Sequence, residues 1–309
     1  MVDKLAVVVS KPRGAGSQHG RLEKKLLFEL GRWPNVDVTV VPHLYDLPGD
    51  GPGMHLLRSI PGDMIVMAWL YPRAAYWVLD ANGVRGRLGP TGSFPEEEAD
   101  PTGGPSGAPD DLPQRTIWCL DLREHDRAEP YVEEVVRIVA AVVDTASLVT
   151  EPVAAGAAVR PSEVEEAPSR WYPVIDYGRC TNCLECLNFC LFGVYGLDDA
   201  DRILIEQPDA CRDGCPACSR ICPAGAIMFP QHDDPAIAGD PKASLEGLKL
   251  DLSQLFGGAN PLDMAAAERD RALAEKQRRQ TGQSPADSDT PARNDDLDDL
   301  VDELDDLDL

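Results

Sequence analysis

The sequence lacks any long apolar run and is short of positive charge. None of its apolar stretches approaches the roughly 18–20 residues that a membrane-spanning helix needs, so we expect no membrane insertion. Basic residues number 29 against 53 acidic residues, which gives a net charge of −24 at pH 7. This balance excludes the basic surface with which proteins bind nucleic acid, and it disfavours binding to an anionic membrane surface.

Signatures of catalysis and of phosphate binding are also missing. None of the five histidines has a metal-ligating neighbour at helical spacing. The G-K-[ST] ending of a P-loop is absent, and no Ser-His-Asp set or carboxylate pair is specific enough to name. The sequence alone therefore nominates no catalytic residue.

Cysteine, by contrast, is present in a dense pattern. Eight of the nine cysteines fall in two runs, each of which closes with C-x2-C-x3-C. The runs are Cys180, Cys183, Cys186 and Cys190, then Cys211, Cys215, Cys218 and Cys222. Closely spaced cysteines of this kind ligate iron–sulfur clusters, with the fourth thiolate supplied from outside the local triplet.

Residues 172–230 resemble the bacterial ferredoxins that carry two 4Fe–4S clusters. The resemblance extends to the flanks, Pro-Val-Ile-Asp-Tyr-Gly from residue 173 and Pro-Ala-Gly-Ala-Ile from residue 223. Two departures from the family are Leu191, where Pro is usual, and a Cys211–Cys215 gap that is one residue longer. The resemblance implies crossed ligand sets, in which the last cysteine of each run serves the other cluster. Cluster one would use Cys180, Cys183, Cys186 and Cys222, and cluster two Cys211, Cys215, Cys218 and Cys190.

Two alternative uses of the cysteines stay open at this point, namely disulfides and two four-cysteine zinc sites. The first residues, Met-Val-Asp-Lys, lead directly into an apolar run without a secretory leader. We therefore expect a reducing, cytoplasmic location, which disfavours disulfides. Zinc ribbons space two C-x-x-C pairs widely, unlike these runs. The ninth cysteine, Cys119, stands alone in an apolar run and is predicted to be a core residue.

The first 146 residues alternate strand and helix patterns. This alternation predicts an α/β fold with a four-stranded, doubly wound parallel sheet, for which a flavodoxin-like 2-1-3-4 order is our expectation. The predicted strands are 5–10, 36–41, 63–70 and 116–121, and the predicted helices are 20–33, 54–60, 72–83 and 131–143. A small α+β ferredoxin domain over 171–232, which we call the cysteine-rich segment, and a disordered acidic tail should follow.

The remaining stretches have the composition of connections and tails. Residues 89–113 are rich in Pro and Gly and are predicted to be a disordered insert, and residues 147–170 a linker. Residues 233–309 are predicted to be mostly disordered, with candidate helices at 262–279 and 295–308. The last 15 residues hold nine acids, no base and an apolar stripe at helical spacing. They fit either a solubilising tail or a helix that orders on a partner protein.

Two features of the first domain could bind a ligand. The loop from Ser10 to Gly20 has two bases and three glycines ahead of a helix, which suits either an anion or an ordinary tight turn. An aromatic cluster around Arg73 could line a pocket, form a docking surface or fill the core. Its other members are Trp69, Tyr71, Tyr76 and Trp77.

These features favour an electron carrier with two 4Fe–4S clusters that shuttles electrons between a donor and redox-partner proteins with basic docking surfaces. In a second hypothesis, the first domain of an oxidoreductase binds a substrate, nucleotide or flavin, and the clusters supply it with electrons. In a third, the first domain is a docking adaptor for a redox enzyme.

Overall fold

The computed structural model describes residues 3–14, 17–93, 115–144, 147–153, 159–160 and 168–243. All of these residues belong to one compact unit that spans residues 1–250. The predicted helices at 262–279 and 295–308, and residues 94–113 of the predicted insert, lie outside the described residues. Among the described helices, none has the length and apolar character that a membrane span requires.

The centre of the fold is a parallel sheet of five strands in the order β2-β1-β3-β5-β4. Its strands are β1 (Leu5–Ser10), β2 (Val36–Val41), β3 (Met64–Ala68), β4 (Arg87–Gly89) and β5 (Thr116–Asp121). The four predicted strands lie in the predicted order, but the predicted number of strands is wrong. A short fifth strand, β4, adds to the edge beside β5.

Four helices cover both faces of the sheet, as predicted. They are α1 (Ser17–Leu30), α2 (Pro52–Ser59), α3 (Pro72–Ala81) and α4 (Glu129–Val142). The apolar sides of α2 and α3 pack on one face, and those of α1 and α4 on the other. Cys119 lies within β5 on the α3 face and is 1% exposed, which confirms the prediction that it is a core residue.

The start of the predicted disordered insert is instead ordered. Gly89 is the last residue of β4 and pairs with Trp118 of β5. A Cβ on Gly89 would collide with the Trp118 indole, so only glycine lets the two strands approach here. Thr91 is also buried. Composition alone gave this stretch no strand signal, because its order depends on a neighbour 29 residues further along the chain.

The cysteine-rich segment consists of short elements. Strand β6 (Val174–Ile175) pairs antiparallel with β9 (Ile227–Met228), and β7 (Tyr195–Leu197) pairs antiparallel with β8 (Ile203–Ile205). Helix α5 (Glu185–Phe189) precedes β7, and α6 (Ala217–Ile221) precedes β9.

The chain stays folded beyond the predicted end of this segment. Helix α7 (Pro235–Ala238) buries Ile237, whose carbonyl accepts a hydrogen bond of 2.8 Å from the backbone N–H of Phe229. The prediction of disorder from residue 233 was therefore wrong for the first few residues.

The cysteine-rich segment packs against helix α3 and the turn after β2. Tyr172 stacks on Tyr45 at 4.3 Å between ring centroids, and Tyr177 meets Trp77 edge-on at 5.7 Å. Tyr172, Val174 and Met228 belong to the same apolar cluster as the inner face of α3. Within the aromatic cluster around Arg73, Trp77 therefore packs against the cysteine-rich segment, whereas Trp69 belongs to the core on the other face of the sheet.

The described part of the predicted linker is attached to the sheet. Arg160 bridges Thr39 of β2 in parallel, donating to the Val38 carbonyl and accepting from the Val40 N–H at 3.0 and 3.1 Å. The edge strand β2 is thereby partly paired.

Candidate metal centres

The eight clustered cysteines line two separate cavities. Cys180, Cys183, Cys186 and Cys222 line the first cavity. Cys190, Cys211, Cys215 and Cys218 line the second cavity, whose volume is about 430 Å³. The last cysteine of each run thus lies with the first three of the other run. These are the two sets that the ferredoxin resemblance implies, and their ligation of iron stays a prediction.

The first run is folded into a tight loop by two residues in the left-handed region. Asn182 has φ +53° and Leu184 has φ +63°. Asn182 suits this conformation because its short amide can bond locally. Its Oδ1 accepts from the Ile203 N–H at 2.8 Å, and its Nδ2 donates to the Asp201 carbonyl at 2.9 Å. Strand β8 therefore holds the loop that presents Cys180 and Cys183.

The second run accommodates its longer gap in a turn. Gly214 precedes Cys215 with φ +74°, as Asn182 precedes Cys183 in the first run. The Cys215 N–H donates to the Arg212 carbonyl at 3.1 Å and closes the turn. Residues 212–214 of this turn are exposed, and Cys215 still lines the second cavity.

Each one-turn helix lies between the two cavities. Helix α5 carries Cys186, which lines the first cavity, and is capped at its C-terminus by Cys190, which lines the second. Helix α6 carries Cys218 on the second cavity and is capped by Cys222 on the first. The crossing of the two sets follows directly from these two short helices.

Two of the eight clustered cysteines are shielded from water by apolar side chains. Cys186 and Cys218 are buried among Ile175, Val194, Ile203 and Ile227. Burial raises the pKa of Cys186, Cys211 and Cys218 to about 12. Without metal these thiols would be protonated at neutral pH, and a bound cation would replace the protons.

The donor set and its surroundings fit iron–sulfur clusters. Each cavity offers four cysteine sulfurs, the usual ligand set of a 4Fe–4S cluster, within an apolar wall. Within the described residues, no three His, Cys, Asp or Glu side chains converge on a point where one metal ion would sit. The cysteines surround the two cavities instead.

A buried ion pair connects the first cavity to helix α3. Arg73 donates from Nε to Asp176 Oδ2 at 2.5 Å and from Nη2 to the Gly225 carbonyl at 3.0 Å. The Ala226 N–H donates to Cys222 Sγ at 3.3 Å, and the Cys180 N–H donates to the Asp176 carbonyl at 3.0 Å. Arg73 thus fixes the backbone on both sides of the first cavity, a role that its sequence neighbourhood did not reveal.

The other candidate ligand site, the loop after β1, has its arginine already engaged. Arg13 donates from Nε to the Asp46 carboxylate at 2.7 Å and from Nη2 to the Arg170 carbonyl at 2.8 Å. Gly16 lies outside the described residues. The described geometry gives Arg13 a structural role at the junction with the cysteine-rich segment.

An exposed apolar patch borders the second cavity. It consists of Phe189, Leu191 and Phe192, of which Leu191 is 92% exposed. All three also line the cavity, beside Cys190. Large apolar side chains that are grouped and exposed in this way commonly mark an interaction surface.

Comparison with known proteins gives one partial similarity. An uncharacterised ferredoxin of the archaeon Methanocaldococcus jannaschii is 42% identical over 66 residues, which cover 21% of this chain and 44% of the relative. The chain therefore matches less than half the length of that relative. No family model matches the sequence. The similarity supports an iron–sulfur electron-transfer role for part of this chain.

Proposed function

We propose that this protein is an electron carrier that binds two 4Fe–4S clusters in its cysteine-rich segment and exchanges electrons with redox-partner proteins. The observation that carries the proposal is the division of eight thiols into two sets of four around two cavities. Each bound cluster would supply a one-electron redox couple. The chain contributes the eight sulfur ligands, excludes water with its isoleucines and valines, and adds a strong negative charge that favours a low potential.

Anaerobic reconstitution tests the number of clusters. Two four-cysteine sets predict about eight irons and eight sulfides per chain, with a broad absorbance that dithionite bleaches. Iron and sulfide analysis with EPR on the same sample provides the measurement. Fewer than about four irons, half of the content of two cubane clusters, would contradict the proposal.

Replacing the last cysteine of each run tests the crossed ligand sets. Cys190→Ala should lose the second cluster and keep the first, because Cys190 lies with the second run. Alkylation followed by peptide mass spectrometry should then label Cys211, Cys215 and Cys218 and leave Cys180 protected. Cys222→Ala should give the opposite pattern. If the four cysteines of one run held the same cluster, Cys190→Ala would instead expose Cys180, Cys183 and Cys186 to alkylation. Cys222→Ala would then expose Cys211, Cys215 and Cys218.

Cys119→Ala is the matched control for these variants. Cys119 is enclosed in β5 on the sheet, away from both cavities, and burial raises the pKa of its thiol strongly. The variant should therefore retain its full iron content and leave the alkylation pattern of the other eight cysteines unchanged.

We propose further that the partner docks on the apolar patch beside Cys190. The patch places a protein surface next to a thiol of the second cavity, which shortens the distance for electron transfer. Residues 171–232 hold eight acids against four bases, and this excess of negative charge favours a partner with a basic rim around an apolar centre.

Leu191→Gln should slow electron transfer about tenfold if Leu191 is an anchor of the interface, since such anchors contribute more than about 1 kcal/mol. The rate can be measured by stopped-flow oxidation of the reduced protein by a small basic haem protein. Phe28→Gln is the control, because Phe28 is 67% exposed on α1, outside the cysteine-rich segment. Equal rates for the two variants, with unchanged iron content, would reject the docking surface.

A further inference from the structure

Each half of the cysteine-rich segment contains a six-residue stretch of the pattern Cys-x-x-Gly-x-x. The last residue carries a polar group in the first half only. The stretches are Cys-Leu-Phe-Gly-Val-Tyr from residue 190 and Cys-Pro-Ala-Gly-Ala-Ile from residue 222. Both glycines have positive φ, +68° at Gly193 and +59° at Gly225. Tyr195 and Ile227 therefore occupy equivalent positions, and each is at most 5% exposed. Only the first half buries a hydroxyl there.

The Tyr195 hydroxyl is enclosed and has no hydrogen-bond partner within the described part of the chain. A buried hydroxyl without a hydrogen bond destabilises the fold, so an orphaned one calls for an explanation. Tyr195 lines the second cavity together with Cys190 and Cys218. These two cysteines bring sulfur acceptors to the same cavity.

We infer that the Tyr195 hydroxyl donates a hydrogen bond to a ligand sulfur of the cluster that the second cavity would hold, and thereby raises the reduction potential of that cluster. The inference rests on the proposed function, since it concerns a bound cluster. Tyr195 would act on the cluster through a ligand sulfur, so it is a positioning residue and does not bind iron itself. At the equivalent site of the other half, the Ile227 side chain has no donor to offer.

The direction of the effect follows from charge. Reduction adds an electron to the cluster and increases the negative charge on its sulfur ligands, so a hydrogen-bond donor stabilises the reduced form more than the oxidised form. Burial raises the pKa of Tyr195 well above its ordinary value. The phenol therefore stays protonated and remains a donor.

Tyr195→Phe removes the donor and keeps the ring. We expect the electron affinity of the second cluster to fall about tenfold, which corresponds to about 59 mV for a one-electron couple. Potentiometric titration followed by EPR gives the two potentials. Contact-shifted proton NMR signals of Cys218 and Cys180 assign them to the second and first clusters. The potential of the first cluster should not change.

Tyr177→Phe is the matched control. Tyr177 is a second phenol in the segment, and it packs against the same apolar cluster as Tyr195 but does not line the second cavity. Its removal should leave the potential of the second cluster unchanged. A purely structural role of Tyr195 predicts no change in either potential on Tyr195→Phe, and a general solvent effect predicts equal changes in both. Either result would overturn the inference.

The first of two further measurements keeps the hydroxyl in place, so it does not depend on the folding of a variant that lacks it. With 3,5-difluorotyrosine at position 195 the hydroxyl becomes a stronger donor, so the potential of the second cluster should rise. In D2O, ENDOR of the reduced wild-type protein should detect an exchangeable deuteron next to the second cluster that Tyr195→Phe lacks. Identical deuteron signals in the two proteins overturn the inference, whereas a wild-type protein that binds no iron would overturn the proposed function instead.

Discussion

Removal of iron is expected to unfold most of residues 174–228 and to leave the five-stranded sheet folded. The elements of this segment are too short to be stable alone, since its strands have two or three residues and its longest helices five. Its apolar cluster includes the buried cysteines Cys186 and Cys218, so cavities left empty beside them would be voids in the core. We therefore expect metal binding and folding to be coupled.

Hydrogen exchange measured before and after anaerobic chelation would test this expectation. Amides of α5, α6, β7 and β8 should exchange freely in the iron-free protein, whereas those of β1, β3 and β5 should keep their protection. Protection should return when iron and sulfide are added back, which controls for damage by the chelator. Unchanged protection of β7 and β8 without iron would show that the segment has a sufficient core of its own.

Unfolding should stop at the residues that pack on the sheet. Tyr172 stacks on Tyr45, and its N–H donates to the Tyr45 hydroxyl at 2.7 Å. Val174 and Met228 are fully buried in the cluster shared with α3. We expect these contacts to retain partial protection in the iron-free protein, because they do not depend on the cavities.

The parallel sheet could be predicted from the sequence because its main strands carry their own signal. Runs such as 5–10 and 36–41 are apolar and β-branched. Segments with a helical pattern alternate with these strands along the chain. Strand β4 has only three residues, and its pairing depends on the contact between Gly89 and Trp118. A contact between distant residues leaves no periodic pattern, so the edge strand was missed.

The candidate ligands could also be predicted, since cysteine spacing is a local property. Their surroundings could not, because Arg73 and Asp176 are 103 residues apart and meet only in the folded chain. Tyr195 did leave a signal in the sequence. Alignment of the two halves places this phenol opposite Ile227, and a polar residue at an otherwise apolar repeat position indicates a specific role.

Arg73→Met is expected to destabilise the attachment of the cysteine-rich segment by about 3–5 kcal/mol, because removal of one partner leaves the charge of the other unpaired in the interior. The Arg73 and Asp176 side chains are 5% and 7% exposed. Arg179 lies 3.7 Å from the same carboxylate and is 39% exposed, so it can offset part of the loss. We therefore expect a value near the lower end of that range.

Urea unfolding of the iron-loaded protein, followed by cluster absorbance and by tryptophan fluorescence, measures this effect. Arg137→Met is the matched control, since Arg137 is 56% exposed in its pair with Glu134 and surface pairs contribute about 0–1 kcal/mol. Asp176→Asn and the double variant complete a cycle whose coupling energy isolates the pair. Because Arg73 also holds the Gly225 carbonyl beside Cys222, the loss of absorbance should begin at lower urea than the loss of the sheet. If Arg73→Met and Arg137→Met had the same small effect, the cysteine-rich segment would be an independent module, and the α/β sheet would not support the first cavity.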